Sequence, residues 1–228
     1  MLVKAVLFDV DGTLVDSVDL HTRAWLDAFR EIGHEVPFVE MRAQIGKGGD
    51  QLIPIFLPAA ELADKAAPLA ERHGAIFRES YLSQVRAFPG AAELVARVDK
   101  AGLRTALASS AEDQELAALK RIVGIADGRL DAETSSSDAE RSKPFPDIFE
   151  AAPAQLPGVS PDEAVVIGDT PYDAEAAAGA GMRMIGMLCG GVAEEALVAA
   201  GCVAIYRDPA HLLEEYDSSL LGAGGMPD

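Results

Sequence analysis

Two aspartates two residues apart, Asp9 and Asp11, follow an apolar run over residues 3–10 and sit at an Asp-Gly turn. Three other patches carry groups that could act with them: Ser109-Ser110, Lys143-Pro144, and Gly168-Asp169-Thr170-Pro171-Tyr172-Asp173. Together they supply four carboxylates, hydroxyls and one cation. Carboxylate oxygens hold hard divalent ions. A hydroxyl and an ammonium can grip the remaining oxygens of a phosphate, and lysine does so as a point charge. The inventory points to metal-assisted phosphoryl transfer.

Each patch has a plainer reading when taken alone. Ser109 could cap a helix, and Asp173 could be a first-turn helix charge. Lys143 could be a solvated lysine. A calcium loop starting at Asp9 fails, because Leu14 falls on its glycine position and Leu20 on its last acidic position. Joint occurrence outweighs these readings, because each patch follows or lies near the C-terminal end of an expected strand. Ligands of open α/β sheets bind in that crevice.

The expected strands are apolar runs over residues 3–10, 103–108, 130–133, 164–167, 184–188 and 202–206. Helical patterns separate them, over residues 90–101, 112–123, 146–155 and 173–180. The alternation predicts an α/β fold with a Rossmann-like, doubly wound parallel sheet. Residues 16–87 break it. They carry helical patterns over 19–32, 50–57 and 59–85, and Leu20, Ala24, Ala28 and Ile32 repeat at helical spacing. Some seventy residues are too many for an ordinary loop, so they are expected to form an inserted α-helical unit, a second small domain. The catalytic core is then 1–15 and 88–228, with a disordered tail over 222–228.

Composition is ordinary for a globular chain, 49% hydrophobic and 25% charged. The formal net charge of -18 opposes binding to nucleic acid or to an anionic membrane surface. Cys189 and Cys202 lack metal or redox spacing and read as small buried hydrophobes. No run approaches spanning length, so a cytoplasmic location is expected, with a small phosphorylated metabolite as partner and a monomer as the assembly.

In order and spacing the four patches resemble the motifs of the haloacid dehalogenase superfamily of phosphohydrolases. The insertion between the first two looks like the cap of the phosphoglycolate phosphatase and β-phosphoglucomutase subfamily. The weakest match is residues 127–141. The resemblance implies Asp9 as nucleophile and Asp11 as general acid and base. It implies Mg²⁺ on Asp9, Asp169 and the backbone carbonyl of Asp11, with Asp173 as an outer partner of the metal site. Ser109, Ser110 and Lys143 are implied to bind the phosphoryl group.

In the cap, His21 looks like the histidine that faces the site in sugar-phosphate members. Lys47, in the loop Ile45-Gly46-Lys47-Gly48-Gly49-Asp50, could meet an anionic substrate. Many mutase members carry Glu-Asp where this chain has Gly168-Asp169, which favours a phosphatase over a β-phosphoglucomutase-like phosphomutase. Dehalogenases lack the second aspartate. Phosphonate hydrolysis would need a differently placed cap lysine than Lys47 or Lys65. A receiver-like signalling domain that accepts phosphate is the alternative from another class.

Overall fold

The computed structural model describes residues 2–126 and 128–222. The tail expected to be disordered falls, beyond residue 222, outside the described residues. Six parallel strands form the main sheet in the order β5-β4-β1-β6-β7-β8. They are β1 (Ala5–Phe8), β4 (Arg104–Ala108), β5 (Ala132–Thr134), β6 (Ala164–Gly168), β7 (Arg183–Met187) and β8 (Ala204–Tyr206). All six expected strands are present, including the third, at 132–134.

Period-two alternation divides β1 between two apolar layers. Val6 and Phe8 join one buried cluster, and Ala5 and Leu7 join the other. Continuous apolar runs are what a parallel strand covered on both faces requires. The helices α5 (Ala91–Lys100), α6 (Asp113–Val123), α7 (Asp147–Ala154), α8 (Pro171–Gly179), α9 (Glu194–Ala199) and α10 (Pro209–Glu214) follow the strands in alternation. The fold is α/β and Rossmann-like. The last two helices were not expected, because each has only six residues.

The insertion after β1 is α-helical. It contains α1 (Val18–Glu31), α2 (Phe38–Arg42), α3 (Gly49–Phe56) and α4 (Ala59–Ile76), and α4 runs on through a π turn over Phe77–Tyr81. A helical insertion at this point is absent from the receiver-like arrangement. Its two ends meet in a two-stranded antiparallel ribbon, β2 (Val15–Asp16) with β3 (Arg86–Ala87), which pairs Val15 with Ala87 and Asp16 with Arg86. Two residues per strand leave no periodicity to read, so neither was expected.

The buried stripe of α1 differs from the expected one. Ala24 and Ala28 are buried, but Trp25, Phe29, His21 and Thr22 complete the face, while Leu20 and Ile32 lie at its edge. Both cysteines are free and half-buried. Among the described residues no helix is long and apolar enough to cross a membrane.

The central strands place Asp9 and Asp169 side by side. Phe8 is in register with Ile167 on one side and Leu107 on the other, and the Asp9 N–H donates to the Ile167 carbonyl at 2.9 Å. Phe8 is fully buried. Phe8→Ala is therefore expected to lower the unfolding free energy by about 3–5 kcal/mol, read from urea denaturation.

Candidate active site

β1 ends at Phe8, one residue before Asp9. The chain then turns through Gly12, whose φ of +83° favours glycine. A Cβ on Gly12 would lie 2.3 Å from Oδ2 of Asp169. Asp9 and Asp11 therefore do not share a strand face as continued period-two geometry would have it. Both still line one cavity of about 360 Å³ between the C-terminal strand ends and the insertion.

Asp9, Asp169 and Asp173 converge in the core. All three are buried, and each offers an oxygen within 4.8 Å of the others. Lys143 is buried between two of them. Its Nζ contacts Asp9 Oδ1 and lies 2.7 Å from Asp173 Oδ1. The Thr13 hydroxyl lies 3.0 Å from Asp9 Oδ2 and 3.3 Å from Asp169 Oδ1. Asp173 doubles as part of a capping box on α8. It accepts from the Thr170 N–H at 3.1 Å, and its own N–H donates to the Thr170 hydroxyl at 3.2 Å.

Burial pushes the Asp9 carboxyl up to about 7 against the pull of Lys143. Burial, then Asp9 and Asp173, hold Asp169 well above the usual range. Burial opposes the charge on Lys143, but Asp173 and Asp9 outweigh it and raise its affinity for the proton. Three carboxylates thus face one ammonium.

The second oxygen of Asp169 is buried without a hydrogen-bond partner. It lies against bare glycine, since a Cβ on Gly190 would come within 1.7 Å of it. An unpartnered acceptor, excess negative charge and close-packed glycines fit a hard cation held by oxygen ligands. Asp173 stands closer to this group than its expected outer role required, although it is also tied to Lys143.

Asp11 belongs to a different cluster. Its Oδ1 accepts from the Ser17 hydroxyl at 2.6 Å and lies 3.1 Å from His21 Nε2. Ser17 occupies the N-cap position of α1 but makes no side-chain cap there, because its hydroxyl serves Asp11. His21 also lies 3.9 Å from the buried Glu115 of α6 and 3.4 Å from His73 of α4. Ring stacking fixes both imidazoles, His21 on Phe77 at 3.7 Å and His73 on Trp25 at 3.9 Å between centroids. Burial works against ionisation of both Asp11 and His21. Their mutual attraction overrides it, so Asp11 is held below its ordinary value and His21 above. Burial, then His21 and Arg78, leave His73 well below the ordinary histidine value.

Ser110 reaches the cavity wall, and its hydroxyl is buried without a partner. Ser109 lies beneath, and its hydroxyl accepts from the Ala111 N–H at 3.1 Å. It is not the cap of α6, whose N-cap is Glu112. Lys47 lines the cavity, donates to Gln44 at 2.7 Å and lies 4.5 Å over the Tyr172 ring.

Glu115, His73 and Gly190 escaped the sequence reading. A signal existed for two of them. Glu115 and His73 interrupt apolar stripes at helical spacing, with Leu116 and Leu119 in α6 and with Leu69 and Phe77 around α4. The insertion meets the core close to Lys143. Asp50 accepts from the Ser142 N–H at 3.1 Å and from its hydroxyl, and the Gly48 N–H donates to Ser142 at 2.9 Å. Arg42 reaches the Gly190 carbonyl at 3.1 Å, and Tyr172 donates to the Ala43 carbonyl at 2.7 Å.

Residues 3–181 match the family described as haloacid dehalogenase-like hydrolase. The phosphoglycolate phosphatase of Rhodospirillum rubrum is 30% identical over 218 residues, 92% of this chain and 89% of that protein. The chloroplastic protein SUPPRESSOR OF QUENCHING 1 of Arabidopsis thaliana is 38% identical over 80% of this chain, which spans only 18% of that protein. Among solved structures, a hydrolase from Pseudomonas syringae superposes with a TM-score of 0.85 at 29% identity, covering 94% of this chain and 98% of that one. A mutant CbbY from Rhodobacter sphaeroides, in complex with xylulose-(1,5)bisphosphate, does so with a TM-score of 0.72 at 29% identity, covering 92% and 96%.

Burial pushes Glu115 up to about 7 from an ordinary value of 4.5, against the attraction of His21. A folded-state value above the unfolded one means that the folded protein binds the proton more tightly. The associated stability is complete below about pH 4.5 and is lost as pH rises through about 7. Glu115→Gln should remove that slope and stabilise the protein at pH 8 by about 1–3 kcal/mol relative to wild type. Urea denaturation across pH 4–8 measures it, and parallel curves for the two proteins would refute it.

Proposed function

The chain belongs to the haloacid dehalogenase-like hydrolase family, and we propose that it is a phosphatase that hydrolyses a small phosphomonoester through an aspartyl-phosphate on Asp9. The ester is a sugar phosphate or a phosphoglycolate-like compound, the classes that the names of its relatives suggest. One observation carries the reading. The Asp9 carboxylate is paired to a buried lysine and lies beside an Asp169 oxygen that lacks any partner.

Asp9 attacks phosphorus while the bond to the ester oxygen breaks. Splitting the displacement in two lowers each barrier. Lys143 offsets charge on the transferring group, and Ser110, with Ser109 beneath it, forms the phosphate wall. In the resting pair the proton lies on His21, 3.1 Å from Asp11; it passes through Asp11 to the departing alkoxide, which leaves Asp11 as a carboxylate. Asp11 then takes a proton from the water that attacks phosphorus, the bond to Asp9 breaks, and inorganic phosphate leaves. Asp9, Asp169 and the Asp11 carbonyl would hold Mg²⁺, with Asp173 bracing the site, and the ion supplies electrostatic stabilisation of the phosphoryl oxygens. Residues 16–87 act as the cap that excludes water during transfer and opens for release.

With Mg²⁺, p-nitrophenyl phosphate should be hydrolysed, and excess chelator should stop it. Asp9→Asn should reduce kcat by about 10⁴-fold or more, and Asp11→Asn by about 10²–10⁴-fold. Wild-type turnover in Asp9→Asn would end the proposal. Gly190→Ala should weaken Mg²⁺ binding by at least about tenfold, because its Cβ displaces the Asp169 oxygen. Titration calorimetry reads this directly, and unchanged Mg²⁺ affinity would show that Asp169 does not hold the ion.

A further inference from the structure

We infer that the leaving group is an uncharged polyhydroxy compound, a sugar or alditol bearing one phosphate, and that Asp50 and Glu140 reject esters with a second anionic group. The inference rests on the phosphatase reading and narrows its substrate.

Beyond Asp9 and Lys143, the cavity wall carries Asp11, Asp50, Glu112, Glu115 and Glu140. Two of these have a cationic partner close by. Asp11 is paired with His21, and Glu112 lies 3.2 Å from Arg78. The charge of Asp50 is not neutralised, because the groups that bind it are neutral: the Ser142 N–H and hydroxyl and the Gln51 amide. Glu140 is exposed at the rim. Glu115 is buried, and His21 at 3.9 Å and Arg78 both offset its charge. Against Asp50 and Glu140 stands Lys47, whose ammonium is turned to Gln44 and the Tyr172 ring. Among the described residues, no arginine lines the cavity. The fork that usually grips a second phosphate or a carboxylate is therefore missing from its wall.

A distal anion would meet like charge in a partly closed space, where such juxtaposition is costly. Hydroxyl groups meet partners instead. His73 presents a neutral imidazole that can donate at one nitrogen and accept at the other. Asp50 and Glu115 offer acceptor oxygens. A wall built to bind hydroxyls also rejects analogues that lack them.

The test compares kcat/KM for glucose 6-phosphate, sorbitol 6-phosphate, phosphoglycolate and xylulose 1,5-bisphosphate at fixed Mg²⁺ and ionic strength. The two monophosphates of polyols should exceed phosphoglycolate and the bisphosphate by about tenfold or more. The bisphosphate held by the CbbY crystal is thus expected to be a poor substrate here. Glu140→Lys, at an exposed position, should narrow the ratio of neutral-tail to anionic-tail esters by about threefold or more, and the Asp50→Asn/Glu140→Lys double variant further. Added salt should narrow it in wild type as well. Phosphoglycolate or the bisphosphate matching the polyol esters would overturn the inference, as would a ratio that neither variant moves. Failure of wild type with Mg²⁺ to hydrolyse p-nitrophenyl phosphate or any ester of the panel would instead overturn the phosphatase reading beneath it.

Discussion

Three carboxylates around one ammonium, all withdrawn from water, is an arrangement that a protein interior does not favour unaided. Removing the partner of a buried charge typically costs several kcal/mol, and a charge-unbalanced cluster is worse placed still. Here Lys143 sits between Asp9 and Asp173, and Asp169 is left over. Much around the cluster serves to keep it in place. Parallel β1 and β6 set Asp9 and Asp169 in adjacent register. Gly12 and Gly190 surrender their side-chain space to one carboxylate oxygen. Thr170 fixes Asp173 by the same hydrogen bonds that start α8. The remaining imbalance is what a divalent cation held there would offset.

The second aspartate shows how the insertion enters the chemistry. Asp9 is held wholly by core residues. Asp11, two positions later, is held by Ser17 at the start of α1 and by His21 one turn further on. The group proposed to move protons is therefore oriented by the insertion, which also lines the cavity. Contacts such as Asp50 with Ser142 put the cap against the residue that precedes Lys143. Under the proposed cap role, closure and completion of the site are coupled through these short connections.

This coupling also explains what was legible in the sequence. The four patches could be read because each consists of adjacent residues at the end of a strand, and the apolar runs locate the strand ends. The third strand was hard to place because only three residues, Ala132–Thr134, pair there, and the middle one is a glutamate facing outward. The His21–His73–Glu115 group was not legible as a group. Its members come from α1, α4 and α6 and meet only through tertiary packing, so no spacing along the chain encodes it. What the sequence does show is a charged or polar residue intruding on an apolar stripe. Gly190 was silent for a different reason, since its role lies in the side chain it lacks.

A chain with a formal charge of -18 faces a particular problem in binding an anion. Long-range attraction cannot bring the substrate in, so recognition must be local and short-ranged. The buried end of the cavity meets that need with Lys143 and with the electrostatic demand for a cation beside Asp169. The outer wall does the opposite. Its carboxylates, with Lys47 turned to the cap, leave the attraction confined to one end. A field that reverses sign over the length of a small metabolite orients that metabolite. On the proposed reading the phosphate is drawn to the C-terminal ends of the central strands, and acceptor oxygens face the rest of the molecule. The proposed reaction is then written in the strand-end motifs, and the proposed choice of substrate in the sign of the charges facing them.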